Sequence, residues 1–337
     1  LPVVPGGFVE TTEDAQALIR HIGLPALVKA VGGGGGRGMK LIREPSEIEG
    51  TVALAMAEAD AAFGDARVYI ERFVEHGRHI EVQLLGDGRN VIHLGDRDCS
   101  IQRRYQKLVE EAPAPNLDPQ LQNHLRQAAV SYGESLAYRG LGTVEFLVDV
   151  TDGEFWFLEM NARIQVEHPV TEAVTGLDLV AEQIAVAEGR PMRLRQHDIR
   201  FEGHAIEFRV NAEDPAHDFR PSPGKVMSAV FPAGEGMRVD THIEADATVP
   251  PFYDSMLAKV IVHDDTRAAT IDEAERALAN CHLEGVATNL AVHRALLSDP
   301  QFRAGGVPTS WFPEFLRQQV VSHNTRHFAA YEAAQYR

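Results

Sequence analysis

Cysteine, aromatic residues and positive charge are all scarce in this sequence. Its 337 residues include only two cysteines, Cys99 and Cys281, and aromatic residues make up 7% of the chain. A secreted protein of this size usually carries more cysteines, so we expect a reducing, cytoplasmic environment in which both thiols are small buried groups. The 49 acidic residues outnumber the 32 basic ones, and the formal net charge is -17. Because nucleic-acid binding needs a basic surface that displaces counterions, we expect no nucleic-acid partner.

Long apolar runs and an initiating methionine are also missing. No run reaches the roughly 18 apolar residues of a membrane-spanning helix, so we expect no membrane partner. The chain begins at Leu1, without the charged and apolar regions of a signal peptide. We therefore expect further residues to precede Leu1 in the complete protein.

The order of strand-like and helix-like segments favours an α+β protein, because it lacks the regular strand–helix–strand repeat of a doubly wound sheet. Gly189, Pro191 and a polar connecting segment predict a domain boundary near residue 200. The patterns predict helices at 13–21, 51–62, 120–136, 177–188, 270–279 and 289–297, and strands at 26–31, 39–43, 68–73, 79–85, 143–148, 155–160, 203–211, 225–230 and 256–263.

A glycine-rich loop occupies residues 32–38, with the sequence Gly-Gly-Gly-Gly-Gly-Arg-Gly. It fits the spacing of a dinucleotide-binding motif, but Met-Lys-Leu-Ile follows as a strand where that motif must open a helix. It also fits the spacing of a P-loop, but Met39-Lys40 replaces the required Lys-Ser/Thr. A glycine loop between two strands, with many free backbone N–H groups and Lys29 before it, predicts a lid over phosphates. A flexible surface linker is the alternative.

Two carboxylates are symmetric about a predicted hairpin turn at Asp152. Glu145 and Glu159 are equidistant from that residue, so strands that pair about it place them opposite each other on one face. Two like charges there repel unless a cation or a proton intervenes. Mg²⁺ binds a few carboxylates together with phosphate oxygens and fits this position. A solvated pair of exposed glutamates is the alternative.

Polar and apolar residues alternate strictly from Glu159 to Glu167. Glu, Asn, Arg, Gln and Glu hold the odd positions, and Met, Ala, Ile and Val hold the even ones. This pattern predicts a nine-residue strand with five polar side chains on one face. An ordinary half-exposed strand is the alternative, but the mixture of acid, amide and guanidinium groups beside the metal pair favours a site. Two further polar segments, 103–107 and 207–211, are either solvated faces or sources of positive charge for anionic substrates.

At these residues the sequence resembles the biotin carboxylases, a branch of the ATP-grasp superfamily. The matching segments reach to about residue 317 and comprise 28–39, 97–104, 110–115, 159–169, 208–214, 221–225 and 251–256. The resemblance implies an ATP-grasp fold with a mobile glycine-rich lid, followed by a biotin carboxylase C-terminal domain. It divides the chain into a lid subdomain at 1–73, an ATP-grasp core with the metal and bicarbonate site at 74–200, the C-terminal domain at 201–320 and a tail or linker at 321–337.

The resemblance also implies a reaction, its cofactors and its partners. Biotin carboxylases use ATP and Mg²⁺ or Mn²⁺ to carboxylate biotin with bicarbonate, through carboxyphosphate. The biotin is attached to a biotin carboxyl carrier protein or domain, and a carboxyltransferase passes the carboxyl group to an acyl-CoA, pyruvate or urea. We therefore expect both of these partners, and a homo-oligomer such as a dimer, or a larger carboxylase complex.

The roles of the family carry over to individual residues. The resemblance implies that ATP is bound through its phosphates, adenine and ribose by Lys29, Gly33, Gly34, Gly35, Gly36, Glu71, Arg72, Val74, His79 and Gln102. It implies a metal site at Glu145, Glu159 and Asn161, and a bicarbonate site at Arg163, Gln165 and Val166. Lys107 would contact the γ-phosphate or bicarbonate, Glu167 would be the general base, and Arg209 would stabilise the biotin enolate.

The sequence departs from the family in a few places. Tyr105 replaces a usual histidine, Arg72 replaces a lysine, and the hairpin between Glu145 and Glu159 is two residues longer than in many relatives. The family's N-terminal domain, which carries a further ATP-contacting lysine, is absent before Leu1. If the protein itself begins at Leu1, we expect weak or no turnover. If the earlier residues are part of the protein and are only missing from this sequence, we expect no loss of turnover.

Two other functions fit parts of the pattern. Another ATP-grasp ligase, similar to carbamoyl-phosphate synthetase, would share the glycine lid and the metal pair, but the Arg163–Glu167 spacing and the 208–214 segment favour biotin chemistry. A noncatalytic subunit that retains the fold is the second alternative, and its nucleotide affinity would distinguish it.

Overall fold

The computed structural model of the chain describes residues 1–33 and 39–319. It separates into two compact units. The first comprises Leu1–Gly77, Arg104–Gln106 and Val148–Leu158, and the second comprises Arg78–Arg103, Lys107–Leu147 and the described residues from Glu159 onward. Gly34, Gly35 and Gly36 of the expected lid, and the expected tail at 321–337, lie outside the described residues. The four-part division of the chain stays a prediction.

The first unit is built on a four-stranded antiparallel sheet with the strand order β1-β4-β2-β3. Its elements are β1 (Gly6–Val9), α1 (Thr12–Ile22), β2 (Ala26–Ala30), β3 (Lys40–Ile42), a 3₁₀ turn (Pro45–Glu47), α2 (Ile48–Phe63) and β4 (Val68–Arg72). The buried faces of both helices pack with the sheet in one apolar core that includes Val28, Val52 and Ile70.

Local signals in the sequence explain where helix α1 begins and ends. The side chain of Thr11 accepts a hydrogen bond from the backbone N–H of Asp14, which satisfies one free donor of the first turn. Acidic residues in the first turn and basic residues in the last turn complement the helix dipole. Gly23, with a φ of 85°, then terminates the helix. The predicted helix at 13–21 is therefore confirmed to within one residue at each end.

An eight-stranded sheet has the order β15-β17-β10-β7-β6-β5-β8-β9, and most of its strands belong to the second unit. Strands from β5 onward are β5 (Gly77–Asp87), β6 (Val91–Arg103), β7 (Gln106–Ala112), β8 (Arg139–Asp149), β9 (Phe155–Asn161), β10 (His204–Asn211), β11 (Glu213–Asp214), β12 (Arg220–Pro221), β13 (Gly224–Lys225), β14 (Ser228–Val230), β15 (Met237–Thr241), β16 (Thr248–Val249), β17 (Met256–Asp264) and β18 (His282–Glu284). The six short strands β11–β14, β16 and β18 form three two-stranded ladders.

Helices cover parts of this sheet. They are α3 (Pro119–Ser135), α4 (His168–Thr175), α5 (Leu179–Ala187), α6 (Arg267–Ala279), α7 (Leu290–Leu297) and α8 (Pro300–Ala304), with 3₁₀ turns at Gln196–Asp198 and Pro215–His217. A large apolar core joins β10 and β17 to α6, α7 and α8, and it contains Phe208, Val260, Ile271, Leu296 and Phe302. Because β10 lies between β7 and β17, this core fixes the central strand that carries Arg209. No helix in the two described ranges has the length and apolar character needed to cross a membrane.

The predicted nine-residue strand from Glu159 to Glu167 is wrong. Strand β9 ends at Asn161, irregular backbone follows, and α4 begins at His168 with Pro169 in its first turn. Proline in a first turn has the backbone angle of a helix and lacks only an N–H that has no helical partner there. The alternation of polar and apolar residues therefore does not mark a strand beyond Asn161. Gln165 and Glu167 bond to β8 and β7, whereas Arg163 bonds within its own segment.

The sequence also gave no indication of β6 and β7 as strands. All residues of β6 from Val91 to Gln102 are buried, with polar and apolar side chains alike, so both faces of this strand are covered. A strand that is buried on both faces shows no alternation of polar and apolar residues. Its position depends on pairing with distant strands, which local patterns do not encode.

Candidate active site

An ammonium group lies at the centre of the polar cluster of the second unit. Lys107, at the start of β7, donates hydrogen bonds to Glu81 of β5 and to Glu167 before α4, each over 2.6 Å, and to Glu145 of β8 over 3.3 Å. Burial lowers the pKa of Lys107, but the carboxylates around it, including Glu81 and Glu167, raise that pKa above its usual range. Lys107 therefore stays charged and uses all three of its protons.

A buried arginine, Arg97, bonds to Glu81 and to the uncharged side chains around it. Arg97 is 0% exposed and donates from Nε to Glu81 over 2.5 Å, while its two terminal nitrogens bond to oxygens of four uncharged side chains. Those four are Gln83, Thr143, Gln165 and Thr171, at 2.7–3.3 Å. Burial raises the pKa of Glu81, but the charges of Arg97 and Lys107 lower it to about 2. A fully satisfied guanidinium is what makes such a buried charge tolerable.

Glu167 is bonded to two cations at once. One carboxylate oxygen accepts from Lys107, and the other accepts from Nη2 of Arg209 over 2.9 Å. Arg209 also donates from Nε to Glu110 over 2.6 Å, and its backbone carbonyl accepts from the side chains of Asn289 and His293. Its pKa is lowered by burial but raised overall by the neighbouring carboxylates of Glu110 and Glu167. The site therefore places the carboxyl group of Glu167 between two fixed positive charges.

The candidate metal residues converge on one amide nitrogen. Nδ2 of Asn161 donates to Glu145 over 3.0 Å and to Glu159 over 2.9 Å, so the two carboxylates lie on either side of it. Burial raises the pKa of Glu145, but a hydrogen bond from His79 and the charge of Lys107 lower it to about 2. Ionised carboxylate oxygens with an amide between them are hard ligands that suit Mg²⁺.

Two other acidic groups with the spacing of metal ligands occur in the described part of the chain: His79, Glu81 and Glu145, and Glu81, Cys99 and Glu167. In each group, Lys107 is hydrogen bonded to two of the carboxylates. Lys107 also bonds to Glu145 of the set formed by Glu145, Glu159 and Asn161, but Glu159 of that set is exposed and bonds to the neutral amide of Asn161. A metal therefore fits that set better than the two groups in which Lys107 neutralises both carboxylates.

The expected bicarbonate residues 163–166 bond to the candidate metal residues and to Lys259. Arg163 is exposed and donates to Oδ1 of Asn161 over 3.0 Å. Gln165 is buried and donates to Glu145 over 2.8 Å, and the carbonyl of Val166 accepts from Lys259 over 2.9 Å. The structure thus connects the bicarbonate residues to the metal residues, while leaving the guanidinium of Arg163 accessible.

His79 and Gln102, the expected ribose contacts, lie beside each other. The amide nitrogen of Gln102 is 2.8 Å from Nδ1 of His79 and also donates to the carbonyl of Cys99 over 2.7 Å. Nε2 of His79 is 2.8 Å from an oxygen of Glu145. This arrangement requires Nδ1 to accept and places the ring proton on Nε2, next to the carboxylate.

The expected nucleotide residues of the first unit have local partners of their own. Lys29 of β2 forms an ion pair with Glu71 of β4. Arg72 lies 3.4 Å from Glu154, and its guanidinium is 4.8 Å from the ring centroid of Trp156. Val74 is buried, and the N–H of Gly33 donates to the carbonyl of Ala30 over 3.0 Å.

Four charged residues of the site escaped sequence reasoning as individual site residues: Glu81, Arg97, Glu110 and Glu207. The alternation His79, Glu81 and Gln83 within β5 was the available signal for the first of these. Arg97 and Glu110 fell in segments that match the family, but nothing in the sequence distinguishes a buried charge from an exposed one.

Known proteins match this chain along most of its length. The profile of the family "Carbamoyl-phosphate synthase L chain, ATP binding domain" matches residues 1–195, and that of "Biotin carboxylase C-terminal domain" matches residues 207–314. The protein named biotin carboxylase from Nostoc sp. is 51% identical over 317 residues, which are 93% of this chain and 71% of that protein.

Solved structures are similar to the same extent. A biotin carboxylase from Campylobacter jejuni, titled as a β-γ-ATP complex, has a TM-score of 0.87 at 41% identity, with 93% of this chain and 70% of that one covered. The biotin carboxylase domain dimer of the 2-oxoglutarate carboxylase of Hydrogenobacter thermophilus, titled with MgADP, ADP and bicarbonate, has a TM-score of 0.87 at 42% identity and the same coverage. The two profiles together include Lys107, Glu167 and Arg209.

Proposed function

This chain belongs to the biotin carboxylase family, and from that premise we propose that its own residues catalyse the ATP-dependent carboxylation of biotin with bicarbonate. The observation that carries the proposal is the placement of Glu167 between Lys107 and Arg209, at 2.6 and 2.9 Å. A base between two cations suits a reaction that removes a proton from bicarbonate and builds negative charge on the phosphoryl group of ATP and on biotin.

In the first step, Glu167 takes the proton of bicarbonate. A bicarbonate oxygen then forms a bond to the γ-phosphorus of ATP, the bond to the ADP oxygen breaks, and carboxyphosphate results. Arg163, Gln165 and the backbone at Val166 orient the bicarbonate, since a guanidinium fork fits a planar carbonate with two hydrogen bonds. Lys107, which already neutralises Glu81 and Glu145, stabilises the charge that develops on the transferred phosphoryl group.

In the second step, carboxyphosphate separates into CO₂ and phosphate inside the site. The phosphate removes the proton from the ureido nitrogen of biotin, and the nitrogen attacks CO₂. Arg209 stabilises the negative oxygen of the biotin enolate, because its guanidinium is partly buried and held by Glu110 and Glu167. Exclusion of water from the site protects the intermediate from hydrolysis.

The nucleotide and metal residues are proposed on the same premise. Glu145, Glu159 and Asn161 would hold Mg²⁺ or Mn²⁺, and the bound ion supplies positive charge against the phosphate oxygens. ATP would be bound by Lys29, Gly33, Gly34, Gly35, Gly36, Glu71, Arg72, Val74, His79 and Gln102. The ionised state of Glu145, whose pKa is about 2, supports its role as a ligand.

We further propose a biotin carboxyl carrier protein or domain and a carboxyltransferase as the partners of this chain, and a homodimer as its assembly. The domain dimer from Hydrogenobacter thermophilus supports the last of these. The free thiols of Cys99 and Cys281 support a reducing compartment such as the cytoplasm.

The test is ATP hydrolysis by the full-length gene product, measured with and without bicarbonate and free biotin. We expect hydrolysis that requires bicarbonate and rises when biotin is added. Stimulation by ammonia in place of biotin would favour a carbamoyl-phosphate type of ligase. An absence of Mg-ATP binding in calorimetry would favour a noncatalytic subunit, and either result contradicts the proposal.

A further inference from the structure

Two glutamates face each other across adjacent strands at the back of the site. Glu110 of β7 and Glu207 of β10 are direct partners in the antiparallel ladder. Direct partners share one face of the sheet, with Cβ atoms typically about 4.5–5.5 Å apart. Both residues are 0% exposed. Two carboxyl groups are therefore confined together, away from water.

The hydrogen bonds of the pair are unequal. One oxygen of Glu110 accepts from Nε of Arg209 over 2.6 Å, and its other oxygen has no partner within the described ranges. Within those same ranges, neither oxygen of Glu207 has a hydrogen-bond partner. The ammonium of Lys259 is 4.0 Å from Glu207, but it donates to the carbonyl of Val166 and lies 3.3 Å from Asp240.

A carboxylate in this position is unfavourable in its ionised form. Removal from water without a hydrogen-bond donor favours the neutral acid, and a second carboxylate directly opposite adds repulsion. Burial and the charge of Glu110 raise the pKa of Glu207 well above its ordinary value. Burial also raises the pKa of Glu110, to about 7, although Arg209 opposes this.

We propose that Glu110 and Glu207 hold one proton between them, mainly on Glu207, and that this pair positions Arg209 against Glu167. A neutral Glu207 leaves Glu110 as the single negative group behind the guanidinium, so that Arg209 is shared between Glu110 and Glu167. The free oxygen of Glu110 and the two of Glu207 are the atoms between which the proton lies. The positioning role rests on the proposed function, whereas the shared proton does not.

Charged groups face the pair from its own strands and from two neighbouring elements. On its own strands, Arg209 follows Glu207 on β10 and Lys107 precedes Glu110 on β7. Lys259 faces it from β17, and Glu167 faces it from the start of α4. Ionisation of Glu207 would place a second anion behind Arg209 and draw the guanidinium away from Glu167.

Infrared difference spectroscopy of the folded protein tests for the shared proton. We expect a carbonyl band of a protonated carboxyl group near neutral pH, its loss in Glu207→Gln, and its retention in Glu111→Gln. Glu111 is the matched control because it is buried on the same strand, but His204 and Arg267 hold its pKa down to about 2 against the effect of burial. Absence of the band in wild type, or an undiminished band in Glu207→Gln, overturns the proposal.

If the variant does not fold, wild-type protein alone still decides the test. The carbonyl band must be present near neutral pH and must disappear as the pH is raised, and its absence near neutral pH would show that Glu207 is ionised.

The positioning role needs a second readout, the pH profile of kcat/KM for biotin. We expect an alkaline decline in wild type of about tenfold per pH unit, which Glu207→Gln shifts upward or removes. An identical decline in both proteins overturns the positioning role. Retention of the infrared band in a protein without carboxylase activity would overturn the proposed function and leave the shared proton standing.

Discussion

Arg209 and Glu167 are joined by a hydrogen bond of 2.9 Å between Nη2 and Oε2. The proposed general base for bicarbonate is thus in direct contact with the proposed stabiliser of the biotin enolate. The other oxygen of Glu167 is bonded to Lys107, so the base cannot move without breaking one of two charged hydrogen bonds. The first and second steps of the reaction therefore depend on one shared carboxylate.

Replacement of Glu167 by Gln should remove the base while keeping its size. We expect kcat for biotin carboxylation to fall by about 10²–10⁴-fold, the usual contribution of a positioned general base. Mg-ATP affinity, measured by calorimetry, should change little. A loss of nucleotide binding in this variant would show that Glu167 has another role.

Replacement of Arg209 by Gln should affect the second step more than the first. Loss of a donor aimed at a developing negative charge costs about 10²–10³-fold in kcat. We expect that loss in biotin carboxylation, while bicarbonate-dependent ATP hydrolysis without biotin is largely retained. Equal losses in the two assays would contradict the assignment of Arg209 to the enolate.

Replacement of Glu159 by Gln should weaken metal binding. The side chain is exposed and its carboxylate bonds to Asn161, so the substitution should leave the fold intact. We expect the Mg²⁺ concentration for half-maximal activity to rise at least about tenfold, because one charged ligand of a hard cation is lost. Glu188→Gln, which removes another exposed carboxylate, is the control and should leave that concentration unchanged.

Replacement of Arg97 by Met should destabilise the protein strongly. Removal of one partner of a buried ion pair leaves the other charge uncompensated, which costs about 3–5 kcal/mol. The unfolding free energy from urea titration should fall by that amount, and the double variant with Glu81→Gln should recover part of it. A double variant as unstable as the sum of both single variants would show that the 2.5 Å contact contributes little.

The stability of the protein should decrease in acid because of Glu81 and Glu145. Their folded pKa values of about 2 lie below the ordinary value of 4.5, so both groups stabilise the folded state fully above pH 4.5. This contribution, on the order of 3 kcal/mol for each group, is lost as the pH falls from 4.5 toward 2. Urea titrations across that range should show a smaller acid effect in Glu81→Gln than in wild type. Equal slopes would contradict the assignment.

Local patterns predicted a large part of this fold. The helix at 13–21, its end at Gly23 and the strands on both sides of the 151–153 turn were all recognised from short-range signals. The expected α+β class, with an ATP-grasp region and a biotin carboxylase C-terminal domain, is confirmed by the matching profiles and by the TM-scores of 0.87.

The pairing of strands that are distant in the sequence could not be predicted from local patterns. The symmetry of Glu145 and Glu159 predicted that they would meet, and both do bond to Asn161. The same logic extended β9 too far, because the segment after Asn161 bonds to other strands: the side chain of Gln165 accepts from Arg97, and the carbonyl of Val166 accepts from Lys259. Buried ionisable groups such as Glu207 are recognisable only once the strand order is known.

The transfer of radiolabelled bicarbonate to biotin by the full-length gene product tests the proposed function most directly. With ATP and Mg²⁺ present, wild type should form acid-labile carboxybiotin, and Glu167→Gln should form at least about 100-fold less while still binding Mg-ATP. Equal labelling by both proteins, or no labelling by a folded wild type that binds Mg-ATP, would contradict the central claim that Glu167, between Lys107 and Arg209, carries the carboxylation of biotin.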